Sequence, residues 1–119
     1  MPLELQHVSL PIPADGPDAA RAFSGGLLGH EERAVPPPLD PSELIWLRVG
    51  GELELHLYDS GETPLRSQHF CLRRDSGLDD LRARLESAGV EVRDTQEIVG
   101  RPRFMCRDPF GNRVELTQF

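Results

Sequence analysis

Apolar and polar residues alternate along "LQHVSLPI" (5–12) and again along "SQHFCLRR" (67–74), the two-residue period of a half-buried strand. Each stretch breaks at an Asp/Gly cluster and passes into helical spacing. In the second half Leu78, Leu81, Leu85 and Ala88 recur at three and four residues, the stripe of an amphipathic helix, and Gly89 stops it. In the first half Ala19, Ala22, Phe23 and Leu27 make the matching stripe, Asp15 or Asp18 caps its start and Gly29 ends it. Gly25 and Gly26 weaken the last turn of that helix.

Both halves then finish in a hairpin pattern. "ELIWLRV" (43–49), "GG" (50–51) and "ELELHLYD" (52–59) supply one, and "RFMCRD" (103–108), "PFGN" (109–112) and "RVELTQF" (113–119) supply the other. With short strands near Glu31–Val35 and Val90–Arg93, each half reads strand, helix, three strands. "PPPLDP" (36–41) is a stiff loop, and "SGETPLRS" (60–67) links the halves. The pattern predicts an α+β chain of two βαβββ modules in tandem, about 1–59 and about 68–119, forming one domain over 1–119. The Gln-His pairs opening the modules stand 62 positions apart (His7 to His69), and counting from the hairpin turns makes Glu54 the counterpart of Glu115 at an offset of 61.

Composition narrows the function. At 119 residues, 38% hydrophobic and 28% charged, the chain has the make-up of a globular domain. A formal net charge of −7 argues against nucleic acid and against an acidic membrane face. No apolar run nears the roughly 20 residues of a membrane span, and the first residues lack a secretion signal. Cys71 and Cys106 sit in strand-like segments outside any CxxC motif, so both are expected to be reduced, buried and structural, and the protein cytoplasmic.

The ending "GRPRFMCRDPFGNRVELTQF" and the start "LQHVSLPI...ARAFSGGLLG" resemble the vicinal oxygen chelate superfamily, which holds glyoxalases, bleomycin resistance proteins and extradiol dioxygenases. Ser24 departs from it, standing where many relatives carry an aromatic residue. The resemblance implies mixed sheets curved around a shared cleft, with a metal held by strand residues. It carries ligand roles onto His7, His69 and Glu115, and it nominates His56 as a fourth ligand where the internal repeat nominates Glu54. Strand alternation sets Glu52, Glu54 and His56 on one face and Leu53, Leu55 and Leu57 on the other.

Two imidazoles and a carboxylate suit a divalent transition metal, and three ligands with open positions match the arrangement of non-haem iron oxygenases. A fourth ligand favours Zn, Ni, Co or Mn acting as a Lewis acid, rather than Fe(II). If His56 binds, Glu54 is free to act as general base, so Glu115 and Glu54 are the candidate catalytic carboxylates. Arg101 and Arg103 are candidates to clamp a substrate anion, and Trp46 and Arg48 share a strand face that can line the cleft. His30, past the first helix, reads as a hydrogen-bonded surface residue.

Three functions follow. The first is a small metal-dependent glyoxalase-type lyase or isomerase that chelates an oxygenated small-molecule substrate through two oxygens. The second is ring cleavage with ferrous iron, for which the only tyrosine, Tyr58, is a poor proton-transfer candidate. The third is a metal-free small-molecule binding or resistance protein, against which the seven aromatics (five Phe, one Trp, one Tyr) weigh slightly. By resemblance the expected state is a homodimer, with each cleft closed within one chain or by exchange between two.

Overall fold

The computed structural model describes residues 2–119, which divide into two compact units, the first ending at Pro64 and the second spanning Leu65–Phe119. In the first unit the strands are β1 (His7–Pro11), β2 (Glu31–Arg33), β3 (Leu44–Gly50) and β4 (Leu53–Tyr58). They form one sheet in the order β1-β4-β3-β2, with β1 parallel to β4 and the other pairings antiparallel. The second unit repeats this with β5 (His69–Arg74), β6 (Val92–Arg93), β7 (Arg103–Arg107) and β8 (Arg113–Gln118), ordered β5-β8-β7-β6 with β5 parallel to β8. This is the mixed-sheet α+β architecture that the alternation predicts.

Alternation decides the faces. Ile45, Leu47, Leu55 and Leu57 are buried in the first unit, and Phe104, Cys106, Val114 and Leu116 in the second. The residues between them on the same strands carry nearly all of the polar side chains. In the second unit α2 (Leu78–Ser87) buries Leu78, Leu81 and Leu85 and packs near β6 and β8. Ala88, read as the end of its stripe, is exposed, because the helix has already closed and Gly89 turns the chain at φ 82°.

The first helix departs further from its pattern. An α-helical turn, α1 (Pro17–Ala20), runs directly into a π-helical segment, Arg21–Leu27, in which the Leu28 amide bonds back to the Phe23 carbonyl five residues earlier. The wider turn moves the buried stripe to Ala20, Phe23 and Ser24, and leaves Ala19 and Ala22 exposed. A stripe counted at the α-helical period misses this shift. Gly16, with no side-chain cap, begins the helix in place of Asp15 or Asp18. Gly29 does end it, at φ 78°.

Two further expectations are corrected. Cys106 is buried, whereas Cys71 faces out from the polar side of β5, and both thiols are free. His30 is half-buried with its Nδ1 shut away from water and without a hydrogen-bond partner among the described residues. Among those residues no helix is long and apolar enough to cross a membrane.

Burial holds the His30 pKa below its ordinary value, so the native state keeps this ring neutral while the unfolded chain takes up a proton. Stability from this source is complete above the unfolded value of 6.5 and falls as pH drops below it. His30→Leu removes the orphaned nitrogen; its stability should equal or exceed wild type at pH 7, and its advantage should widen towards pH 5 in denaturant titrations. Leu85→Ala, at the fully buried centre of α2, should cost about 2–5 kcal/mol in the same assay.

Candidate functional site

Parallel pairing of the first and last strands sets the polar face of each sheet. In the first unit His7 lies opposite Glu54 and Ser9 opposite His56, while β3 brings Trp46 opposite His56 and Arg48 opposite Glu54. In the second unit His69 lies opposite Arg113, Cys71 opposite Glu115, and Met105 opposite Glu115 from the other side. These registers correct the counterpart drawn from the turns. Ser9 and Cys71 are equivalent, so the position equivalent to Glu115 is His56, at an offset of 59 (115 minus 56), and not Glu54. Between equivalent pairs both hairpins enclose five residues, 49–53 and 108–112, so a count from the two-residue "GG" and the four-residue "PFGN" sets the halves two places out of step.

A hydrogen-bonded chain organises the first unit. The Gln6 amide donates to Glu54 Oε1 at 3.2 Å, which leaves the Gln6 oxygen as the acceptor for His7 Nδ1 at 2.7 Å. His7 therefore carries its proton on Nδ1 and presents a bare Nε2. His56 Nε2 donates to the same Glu54 oxygen at 3.1 Å. These two bonds hold the Glu54 carboxyl below the usual carboxylate range, with Arg33 adding attraction from 3.7 Å. Burial opposes that shift, and the donors outweigh it.

The rings also stack. His7 and His56 lie 4.1 Å apart with planes 13° from parallel, and Trp46 covers the other face of His56 at 4.0 Å and 1°. A metal bonds imidazole nitrogen close to the ring plane at about 2.0–2.1 Å. Two rings stacked in this way cannot converge on one ion, so His7 and His56 do not both serve as ligands in this arrangement. Arg48 is spent on the turn, donating to the Gly51 carbonyl at 2.8 Å.

The second unit centres on Glu115, buried to 9% exposure. Arg103 spans from the Gln96 carbonyl, which accepts from its Nε at 3.1 Å and its Nη2 at 2.7 Å, to Glu115 Oε2 at 3.4 Å. His69 places Nδ1 3.2 Å from the Ser67 carbonyl and Nε2 3.2 Å from Glu115 Oε1. Arg101 points elsewhere, its guanidinium 4.1 Å from the Phe119 ring centroid, a cation–π contact. The "DPFGN" turn aims β8: Asp108 accepts from the amides of Phe110 (2.9 Å) and Asn112 (2.8 Å) and from the Asn112 side chain (2.8 Å). Burial nevertheless pushes the Asp108 pKa up.

Among the described residues no three His, Cys, Asp or Glu side chains gather closely enough to hold a metal ion. The pairs that do form fit a metal unequally. Both ring nitrogens of His69 face acceptors, the Ser67 carbonyl and a Glu115 oxygen, each at 3.2 Å, and a neutral ring has one N–H to offer. Two acceptors at that distance repel unless a proton or a cation joins them, and it is also the spacing of neighbouring donors on one ion. His7, with its bare Nε2, has the same readiness. His56 does not, since its Nε2 is held by Glu54. The tautomer of His7 and the ring stack were not legible in the sequence, since both depend on Glu54 and His56 arriving from a distant strand.

No family model and no curated protein matches the chain; the likeness lies in three dimensions. A glyoxalase family protein from Bacillus anthracis superposes with a TM-score of 0.87 at 28% identity, over 99% of this chain and 96% of that one. An antibiotic-binding protein from Streptomyces sp. CB03234 follows at 0.75 and 27%, over 98% and 95%. A lactoylglutathione lyase from Agrobacterium tumefaciens gives 0.73 and 25%, over 98% and 94%. The chain thus has the glyoxalase-like fold of the vicinal oxygen chelate superfamily, as its two modules and its ending imply.

Burial, with the Glu115 carboxylate alongside, pushes the Cys71 thiol up to about 11, although the residue as a whole is exposed. At pH 8 only about one thiol in a thousand is then thiolate, and alkylation by iodoacetamide should be slow. Glu115→Gln removes the charge and should speed that reaction several-fold, read by mass spectrometry at Cys71.

Proposed function

We propose that the protein is a small metal-dependent enzyme of the glyoxalase type, in which a divalent ion held by His7, His69 and Glu115 binds an oxygenated substrate through two adjacent oxygens. The observation that carries this reading is the His69–Glu115 pair, Nε2 and Oε1 set 3.2 Å apart with the far side of the imidazole against a carbonyl. A bound ion would act there as a Lewis acid, lowering the cost of negative charge on the substrate oxygens. Zn, Ni, Co, Mn and Fe(II) all accept such a donor set.

The chain's own residues divide the remaining work. Arg103 orients Glu115 by bonding its second oxygen, and Gln6 fixes the tautomer of His7. His56 is the fourth ligand of this reading, supported by its equivalence to Glu115 in the strand registers. To bind, its ring must leave the stack and release Glu54. That release removes the donor which most depresses the Glu54 pKa, so the carboxylate gains basicity as the fourth ligand engages. Glu54 is then the base that takes a proton from the substrate. In this reading the two modules work as one domain in a cytoplasmic homodimer.

A second reading rests on a different observation. The His7–His56–Trp46 stack is an aromatic column already assembled, and the outer faces of His7 and Trp46 suit a planar ligand without any metal. The antibiotic-binding neighbour shows that this fold is used for binding.

Metal analysis separates the two. Protein incubated with each ion in turn and then desalted should retain close to one equivalent of the preferred ion, and His69→Ala should lose at least nine-tenths of it with an unchanged circular dichroism spectrum. Full occupancy in that variant would remove the proposed centre, and no retention of any ion by wild type would favour the aromatic surface. Glu54→Gln should keep the metal while lowering turnover about 100-fold or more.

A further inference from the structure

A second feature of the polar face lies in the second unit, one row along from Glu115. Arg107 on β7 is the direct partner of Arg113 on β8. Like charges at directly opposed positions on one face destabilise a sheet pair. Among the described residues no carboxylate pairs with either arginine. Arg107 spends Nη1 on the Gly111 carbonyl (3.0 Å) and Nη2 on the Arg66 carbonyl (3.1 Å), both neutral acceptors. The side chains of Arg113 and Arg66 have no hydrogen-bond or ion-pair partner among the described residues.

These three arginines line a hollow of about 370 Å³ together with Arg93, Glu91 and Asp94. Both acids are already engaged. Glu91 accepts from Arg93 Nε at 2.6 Å, and Asp94 accepts from Arg82 Nη1 at 2.6 Å. The hollow therefore keeps the charge of Arg66, Arg107 and Arg113 in a chain whose formal net charge is −7. Concentrated positive charge on an acidic protein, held against like-charge repulsion, lacks a structural reason.

We propose that this hollow is an anion-binding site for the phosphate group of a small molecule. The uncommitted guanidinium forks of Arg66 and Arg113 offer paired N–H donors to the terminal oxygens, while Arg107, pinned by two backbone carbonyls, supplies a charge that cannot swing away. A dianion matches the three guanidiniums better than a monoanion, and a tetrahedral group gives two forks separate oxygens to grip. The site stands on the second unit's own residues, so it does not depend on metal binding.

The test is calorimetric titration of the metal-free protein, kept in EDTA, with inorganic phosphate at fixed ionic strength, and with succinate as a dicarboxylate of equal charge. Wild type should bind phosphate saturably at one site. Arg113→Gln and Arg66→Gln should each weaken binding at least tenfold, and Arg74→Gln, an exposed arginine outside the hollow, should leave it unchanged. Arg113→Gln should also melt no lower than wild type in phosphate-free buffer, because it relieves the repulsion with Arg107. Absence of saturation, equal weakening by Arg74→Gln, or succinate binding as tightly as phosphate would each overturn the assignment. Arg66 reaches Arg107 only through its backbone carbonyl, so Arg66→Gln keeps the test decisive if the Arg113 variant fails to fold.

Discussion

In each unit the first strand lies parallel beside the last, β1 against β4 and β5 against β8, and the side chains that meet follow from that pairing. A parallel pair aligns like faces, so every second residue of both strands is delivered to one surface. The apolar set, with Leu55 and Leu57 or Val114 and Leu116, drives the register because a slip of one residue would expose it. His7, Glu54 and His56 in one unit, and His69, Glu115 and Arg113 in the other, are carried to the opposite face by the same constraint. Burial of leucine and valine thus positions the chemistry.

The polar faces of the two units differ in how far their charges and hydrogen bonds are paired. The first closes its pairs: Gln6, His7, Glu54 and His56 are joined in one hydrogen-bonded chain and the rings stack. In the second, both ring nitrogens of His69 face acceptors, the Ser67 carbonyl and Glu115, and Arg107 lies directly opposite Arg113. Local conflicts of this kind are uncommon where packing alone is at stake and gather where a ligand completes the balance. In the first unit's closed network His56 Nε2 and Glu54 Oε1 occupy each other.

Much of this architecture was legible beforehand because strand alternation and turn chemistry are local properties. "DPFGN" marked a turn through an Asp side chain that can accept from the amides after it, and Asp108 does so. Leu78, Leu81 and Leu85 marked a helix face because their spacing matches the α-helical turn. The same count failed over 17–27, where a π-helical segment widens the turn and buries Ser24 while exposing Ala22. Nothing in "RAFSGGL" announces a five-residue hydrogen bond, because residue propensities describe the α-helical form and the wider π turn is rare.

The sequence by itself determined two modules, their element order, the apolar face of each strand and the Gln-His pair that opens each half, since all of these follow from residue type and spacing within a few neighbours. Only the tertiary structure decided that His56 and not Glu54 is the partner in position of Glu115, because strand pairing, and not the "GG" alone, sets where the first hairpin's loop begins and ends. It also decided which nitrogen of His7 is bare and that Arg113 faces Arg107. Hydrogen-bond partners and opposing charges depend on where residues far apart in the chain come to rest, and distance in space is not written in any one stretch of it.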